Sequence, residues 1–341
     1  MKIKNQILYF FTVLSVALMT FSCTDDTKEV VKLKSIVEIA QADPANFSIL
    51  VDALKKTGLD VTLSNPGSYT VFAPTNAAFT AAGITSASIN AMVLPADIAN
   101  LKLVLQNHVI GIGTRSADLV AAGTFKTFAF IKTTATATTG ANLNLFISKS
   151  GTDIILNAGA TNGGAKVTTA DVDASNGILY TIDGVLKLPT IVNQIVSNPS
   201  LSSLLGVVTS TPQASILAIL NAATGTAAVT VYAPNNDAFT AAKGTGGYLV
   251  GKTDAQITNI LKYHLENGNK TASSATSFTS STATADVSVT TLYTPNKFTI
   301  LLGTVKIKDI VATSNGTIKV INIQGTNGVI QIIDKVLQPF L

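Results

Sequence analysis

The chain repeats itself. The stretch Thr70-Val71-Phe72-Ala73-Pro74-Thr75-Asn76-Ala77-Ala78-Phe79-Thr80 returns at an offset of 160 as Thr230-Val231-Tyr232-Ala233-Pro234-Asn235-Asn236-Asp237-Ala238-Phe239-Thr240. A second stretch, Asn176-Gly177-Ile178-Leu179-Tyr180-Thr181-Ile182-Asp183-Gly184-Val185-Leu186, returns at an offset of 151, beginning Asn327-Gly328 and ending Val336-Leu337. Asp43-Pro44 matches Asn198-Pro199, and His108 matches His264, at offsets of 155 and 156. Four markers in one order at nearly constant spacing indicate a tandem duplication, so one module has to fold twice. At 341 residues the chain is long enough for two domains, each with its own core.

Each marker has a mechanical reading. Asp43 and Asn198 are placed as N-caps, with proline at the first helical position, where a missing N–H costs nothing. Behind Asp43, Phe47, Leu50, Val51 and Leu54 fall at helical spacing, and Gly58 stops the helix. Leu201, Leu204, Leu205 and Val208 repeat that stripe behind Asn198. Thr70-Val71-Phe72 reads as a short buried strand ending at Ala73-Pro74. Thr75 or Asn76 then caps a short helix, as Asn235 or Asn236 does in the second copy. Asn176-Gly177 and Asn327-Gly328 lie between β-rich stretches and predict hairpins in which both residues take positive φ. The Thr/Ser/Ala-rich stretches 133–139 and 271–285 read as edge strands or loops.

The first residues carry an address. Lys2 and Lys4 precede an apolar run from Ile7 to Phe21, of signal-sequence length, that ends at Ser22-Cys23. A small residue before the first cysteine resembles the cleavage box of bacterial lipoproteins, although Thr20 stands where leucine is usual. On that reading residues 1–22 are a signal peptide, Cys23 is acylated, and residues 23–32 form a tether. The acidic pair Asp25-Asp26 resembles an export signal of surface lipoproteins. The expected location is the outer membrane, lipid-anchored and facing the cell surface.

Reactive side chains are scarce. The chain has one Cys, two His and no Trp, and 12% of its residues are charged. One cysteine excludes a disulfide framework or a cysteine-cluster metal site. A lone histidine per copy has no acid or nucleophile nearby in sequence, and no Gly-x-Ser-x-Gly, Walker-type or His-Glu-x-x-His stretch occurs. Asp171-Val172-Asp173 leads towards Gly177 in the manner of a calcium loop, but Ile182 stands where the bidentate glutamate is required. Removing Lys2 and Lys4 with the leader leaves 21 basic against 19 acidic residues, and Arg115 is the one arginine, which speaks against nucleic acid as a partner. No catalysis, cofactor or metal is expected.

The Thr-Val-Phe-Ala-Pro-Thr-Asn block and the Asn-Gly-x-x-x-x-Ile-Asp-x-Val-Leu block, present in both copies, resemble the two signature stretches of the fasciclin-like domain family. The resemblance spans about residues 33–341. It implies an α+β fold: two tandem fasciclin-like domains, 33–189 and 190–341, each a β-wedge of two small sheets with several packed helices. It also implies a non-catalytic adhesion or binding role towards an extracellular protein, a matrix polymer or a surface glycan. The alternative is a glycan-capturing accessory lipoprotein of a nutrient-uptake system. The family's Tyr-His pair, implicated in adhesion in animal members, matches Tyr263-His264, and Asn107-His108 lacks the tyrosine. Its Asp-Ile receptor motif matches Asp171-Val172, whereas the second copy has Asn322-Ile323. Tyr263, His264, Asn107, His108 and Asp171 are therefore the candidate binding residues. Read from the residues alone, each histidine is either a partly buried imidazole bonded to a nearby loop or a direct ligand contact.

Overall fold

The same capping chemistry opens both copies. In the computed structural model, α1 (Ile36–Ala42) starts with a capping box between Ser35 and Glu38. The Asp43 carboxylate then accepts from the Asn46 amide to start α2 (Pro44–Thr57), which Gly58 ends in the left-handed conformation at φ 70°. Phe47, Leu50 and Leu54 point inward, as their spacing requires. A short α3 (Leu59–Ser64) leads to β1 (Tyr69–Pro74), α4 (Asn76–Ala81), α5 (Ser86–Asn90) and α6 (Pro95–Gln106). Thr75, not Asn76, caps α4, its hydroxyl accepting from the Ala78 amide at 3.2 Å. The structure describes residues 32–119, 121–132, 140–224, 227–272, 285–311 and 315–341. The signal peptide, Cys23, the tether up to residue 31, the stretch 133–139 and most of 271–285 lie outside the described residues.

Six more strands complete the first domain: β2 (Val109–Ile110), β3 (Ala122–Lys132), β4 (Gly140–Ser150), β5 (Asp153–Leu156), β6 (Ala165–Ala174) and β7 (Gly177–Ile182). They pair in chain order, and β7 returns to lie parallel to β1, which closes a seven-stranded barrel. The second domain runs α7 (Ile191–Ser197), a 3-10 turn capped by Asn198, α8 (Ser202–Val208), α9 (Ala214–Ala222), β8 (Val229–Pro234), α10 (Asn236–Lys243) and α11 (Asp254–Tyr263). There follow β9 (Leu265–Asn267), β10 (Val287–Thr290), β11 (Lys297–Ile300), β12 (Lys306–Lys308), β13 (Gly316–Gly325) and β14 (Gly328–Ile333). β14 lies parallel to β8, and the outer strands β9 and β10 meet through a bridge between Glu266 and Thr291. The two small sheets of each wedge are continuous with one another. The long strands β3, β6 and β13 run through both halves and turn the corner where their register breaks, for instance between Thr169 and Val172.

Strand alternation divides each domain into two cores. Along β1, Val71 and Ala73 face the helices, whereas Phe72 faces the barrel interior with Leu145, Ile147 and Tyr180. In β8, Val231 and Ala233 face the helices and Tyr232 the interior. A strand covered on both faces needs an unbroken apolar run, which explains why the Val-Phe-Ala and Val-Tyr-Ala blocks show no polar alternation.

The hairpins stand where the sequence places them, but their turns lie one residue earlier. Ala174 pairs with Gly177 and Gly325 with Gly328, so Ser175-Asn176 and Thr326-Asn327 are the turn residues, and neither asparagine has positive φ. The glycines answer to the parallel neighbour strand instead. At φ 154°, a Cβ on Gly177 would collide with the carbonyl oxygen of Tyr69, and one on Gly328 with that of Val229. The turn asparagines tie each hairpin to the helices. Asn176 Oδ1 accepts from the Ile36 amide at 3.0 Å and its Nδ2 donates to Leu63 O; Asn327 makes the same bonds to Ile191 and Leu220.

Residues Lys34–Leu341 form one compact unit, and carboxamides join its two domains. Asn144 of β4 accepts from the Gln324 amide at 2.8 Å and, through its own carbonyl, from Gln194 Nε2 at 2.6 Å. Asn162 and Asn193 exchange bonds through both side chains. Among the described residues no single helix is long and apolar enough to cross a membrane.

Gly177→Ala and Gly328→Ala are expected to cost about 3 kcal/mol or more each, because a backbone oxygen cannot yield as a side chain does. Gly58→Ala, at a helix end with no atom within 4 Å of the new Cβ, should cost about 1 kcal/mol. Urea denaturation of the three variants checks this; equal losses would contradict the close-approach reading.

Candidate functional site

Both histidines sit where a helix ends and are almost fully buried, His108 at 2% exposure and His264 at 3%. His108 Nδ1 lies 2.7 Å from Val104 O, and its Nε2 lies 2.8 Å from the Leu186 amide. His264 repeats both bonds, at 2.8 Å to Ile260 O and 2.9 Å to the Leu337 amide. A carbonyl only accepts and an amide only donates, so the proton sits on Nδ1 in both rings. The histidine carbonyls also accept from the Phe72 and Tyr232 amides of β1 and β8, each at 2.9 Å. One residue thus joins a helix end, the central strand and the chain that leaves the parallel partner strand. Burial lowers the pKa of each ring from 6.5 to about 4, against the opposing pull of the helix carbonyl and, for His264, of the Asp309 charge. Neither ring keeps a lone pair for proton abstraction or metal binding.

The partners of the histidines are interior too. Tyr263 is fully buried, packed edge-on to Phe298 at 5.7 Å, and its hydroxyl donates to Lys297 O. Asn107 is fully buried and donates to Lys187 O at 3.2 Å. Apolar helix faces and strand interiors thus enclose the candidate binding residues Tyr263, His264, Asn107 and His108, and each imidazole holds the irregular chain beyond the parallel strand.

Asp171 lies nearer the surface. It takes a left-handed conformation, φ 59°, at the bend of β6. Its carboxylate accepts from the Ser116 amide at 2.8 Å, from the Ser116 hydroxyl, and from the Tyr180 hydroxyl at 2.9 Å. Burial raises the Asp171 pKa, but the two Ser116 bonds, the Tyr180 bond and the Arg115 charge outweigh it, and the carboxyl ends below its usual value. Arg115 meanwhile pairs with Asp173 at 2.5 Å, with both side chains about half exposed. The second domain builds the same bend from neutral groups. Asn322, at φ 58°, exchanges bonds with Ala272, and Gln331 donates to Asn322 Oδ1 at 3.0 Å from the place that Tyr180 holds in the first domain. Among the described residues no group of three or more His, Cys, Asp or Glu is placed to hold a metal ion.

The model of the fasciclin domain matches twice in succession, over residues 45–189 and 199–339. The chain belongs to the fasciclin domain family. It is similar to protein sll1483 of Synechocystis sp. (34% identity over 155 residues, 46% of this chain and 74% of that protein). It is also similar to protein sll1735 of the same organism (32% over 158 residues, 46% of this chain and 99% of that protein). A solved FAS1 domain pair from the insect cell adhesion molecule fasciclin I matches with a TM-score of 0.47 at 19% identity, covering 89% of this chain and 95% of that one. Fasciclin domains are known in cell-adhesion proteins, and the family indicates no catalytic activity.

The fasciclin signature residues are spent on the fold. Asp183 and Asp334 each accept from a neighbouring strand amide, at Lys166 and Thr317. Thr70 and Thr230 each clasp the loop after the histidine strand, donating to Ile112 O and Gly268 O. What the sequence reading missed is that Arg115 and the part-buried Ser116 gather around Asp171 and Asp173. The one available signal was that Arg115 is the sole arginine.

The histidines should leave a mark on stability against pH. The unfolded chain takes up protons near 6.5 and the folded chain only near 4, so stability is complete above about 6.5 and falls as pH drops towards 4. The loss should be on the order of 3 kcal/mol per imidazole. Denaturant midpoints from pH 8 to 4 check it, and midpoints that rise between pH 6.5 and 5 would contradict it.

Proposed function

We propose that this fasciclin-domain pair is a non-catalytic adhesion or binding protein of the cell surface, held at the outer membrane by lipid on Cys23. The observation that carries the binding role is that both domains belong to a family of adhesion modules, while both imidazoles are locked between backbone groups. The lipid anchor rests on the charged, apolar, small-residue pattern that leads to Cys23. The contact face is the rim of the Asp171 bend. There the Arg115 and Asp173 charges are exposed and the Asp171 bonds fix the loop that carries Arg115, so a partner meets a preorganised pair of opposite charges. The partner is an extracellular protein, a matrix polymer or a surface glycan.

In an outer-membrane bacterium, labelled palmitate should enter the wild-type chain and not Cys23→Ala, which should leave the membrane fraction. Capture of envelope and matrix proteins by the immobilised chain from Thr24 onward should fall about ten-fold in Arg115→Ala, a loss typical of one preorganised charged contact. Retention in polysaccharide gels without protein capture would favour glycan capture instead. Capture unchanged in Arg115→Ala would move the contact face elsewhere.

A further inference from the structure

The two domains make equivalent bonds at equivalent places, and one departure opens a cavity. In the first domain Asn76 Oδ1 accepts from the Ile49 amide; in the second Asn236 Oδ1 accepts from the Ser203 amide, both at 2.9 Å. That shared bond puts Ile49 of α2 and Ser203 of α8 in register. Ile49 is buried in the helical core of its domain together with Ile89, from the α5 helix that packs on α2. In the second domain serine replaces that isoleucine, Gly206 follows one turn later, and residues 244–253, where α5 would lie, form turns instead of a helix. Ser203, Gly206 and, from the turn segment, Leu249 line a cavity at this place in the second domain. A pocket of about 410 Å³ results, floored by Val207, Phe239, Ile257 and Leu261. That volume falls within the range of roughly 300–1,000 Å³ usual for small-molecule sites.

The wall gives an occupant little to bond with. The Ser210 hydroxyl donates to Val207 O at 2.7 Å. Gln213 donates to Asp254 O and accepts from the Thr258 hydroxyl at 2.8 Å. His264, which also lines the pocket, has both ring nitrogens engaged. Beyond the Ser203 hydroxyl, a polar group carried inward would find no free partner among these side chains. The exposed charges of the lining are one ammonium, Lys243, and one carboxylate, Asp254, and their balance favours an occupant without net charge. We propose that this pocket of the second domain binds a small, uncharged, largely hydrocarbon molecule, a capacity separate from surface adhesion.

The purified chain, titrated with the uncharged fluorophore N-phenyl-1-naphthylamine, should show saturable enhancement with one site per chain. Anionic anilinonaphthalene sulfonate should bind that site about ten-fold more weakly or worse. Gly206→Leu supplies a plug: a Cβ there meets no atom within 4 Å, and leucine is a better helix former than glycine. Ser203→Ile restores the residue of the first domain. Both variants should keep or raise the melting temperature and lose about ten-fold or more in naphthylamine affinity. Because they differ from wild type only at the pocket, any background of probe in acyl chains cancels. Unchanged affinity in both folded variants, an enhancement that never saturates, or equal binding of the sulfonate would overturn the proposal.

Discussion

In each domain one neutral imidazole joins two stretches of backbone that no ladder of strands or turn of helix would otherwise connect. The ring donates to the last turn of a helix and accepts from an amide in the irregular chain beyond the parallel strand. The carbonyl of the same residue holds the central strand. A buried amide without a partner is expensive, and Leu186 and Leu337 are fully buried. The imidazole resolves that cost, but only while it is neutral, which sets the acid limit of the fold. The parallel strand pair then needs glycine at its entrance, since the hairpin must pass against a neighbouring carbonyl.

Duplication makes the design legible because it shows which features survive divergence. Tyr180 with Asp171 became Gln331 with Asn322, and the bend kept its left-handed residue and its clasp on the adjoining loop. Tyr263 and Asn107 fill one position by opposite means, an aromatic edge contact in one domain and a carboxamide bond in the other. Where the copies differ without compensation, the difference has a physical consequence. The exposed Arg115–Asp173 pair stands beside the Asp171 bend, and a cavity is lined by Ser203 at the position of Ile49. The carboxamide contacts around Asn144 and Asn162 set the two domains against each other, so the charged rim and the pocket belong to one unit.

What the residues revealed in advance was local. Asp43, Gly58 and Thr75 act through groups three or four positions away, and apolar spacing fixed which faces of α2 and α8 turn inward. What they concealed was set by distant neighbours. Asn176-Gly177 has the local chemistry of a left-handed turn, yet Tyr69, more than a hundred residues earlier, decides why the glycine is there. For the Tyr263-His264 pair the residues leave burial and direct contact both open, because the strands that close over it come from later in the chain. Arg115 meets Asp173 across 58 residues because β6 bends, and no periodicity foretells that bend.

Amide hydrogen exchange tests the central role of the histidines most directly. Leu186 and Leu337 lie in irregular chain, outside any strand or helix, where amides ordinarily exchange fast. The imidazole bridge predicts protection at both that approaches the protection of the central-strand amides of Phe72 and Tyr232. Exchange of Leu186 and Leu337 at the rate of open loops, with the strands still protected, would contradict it.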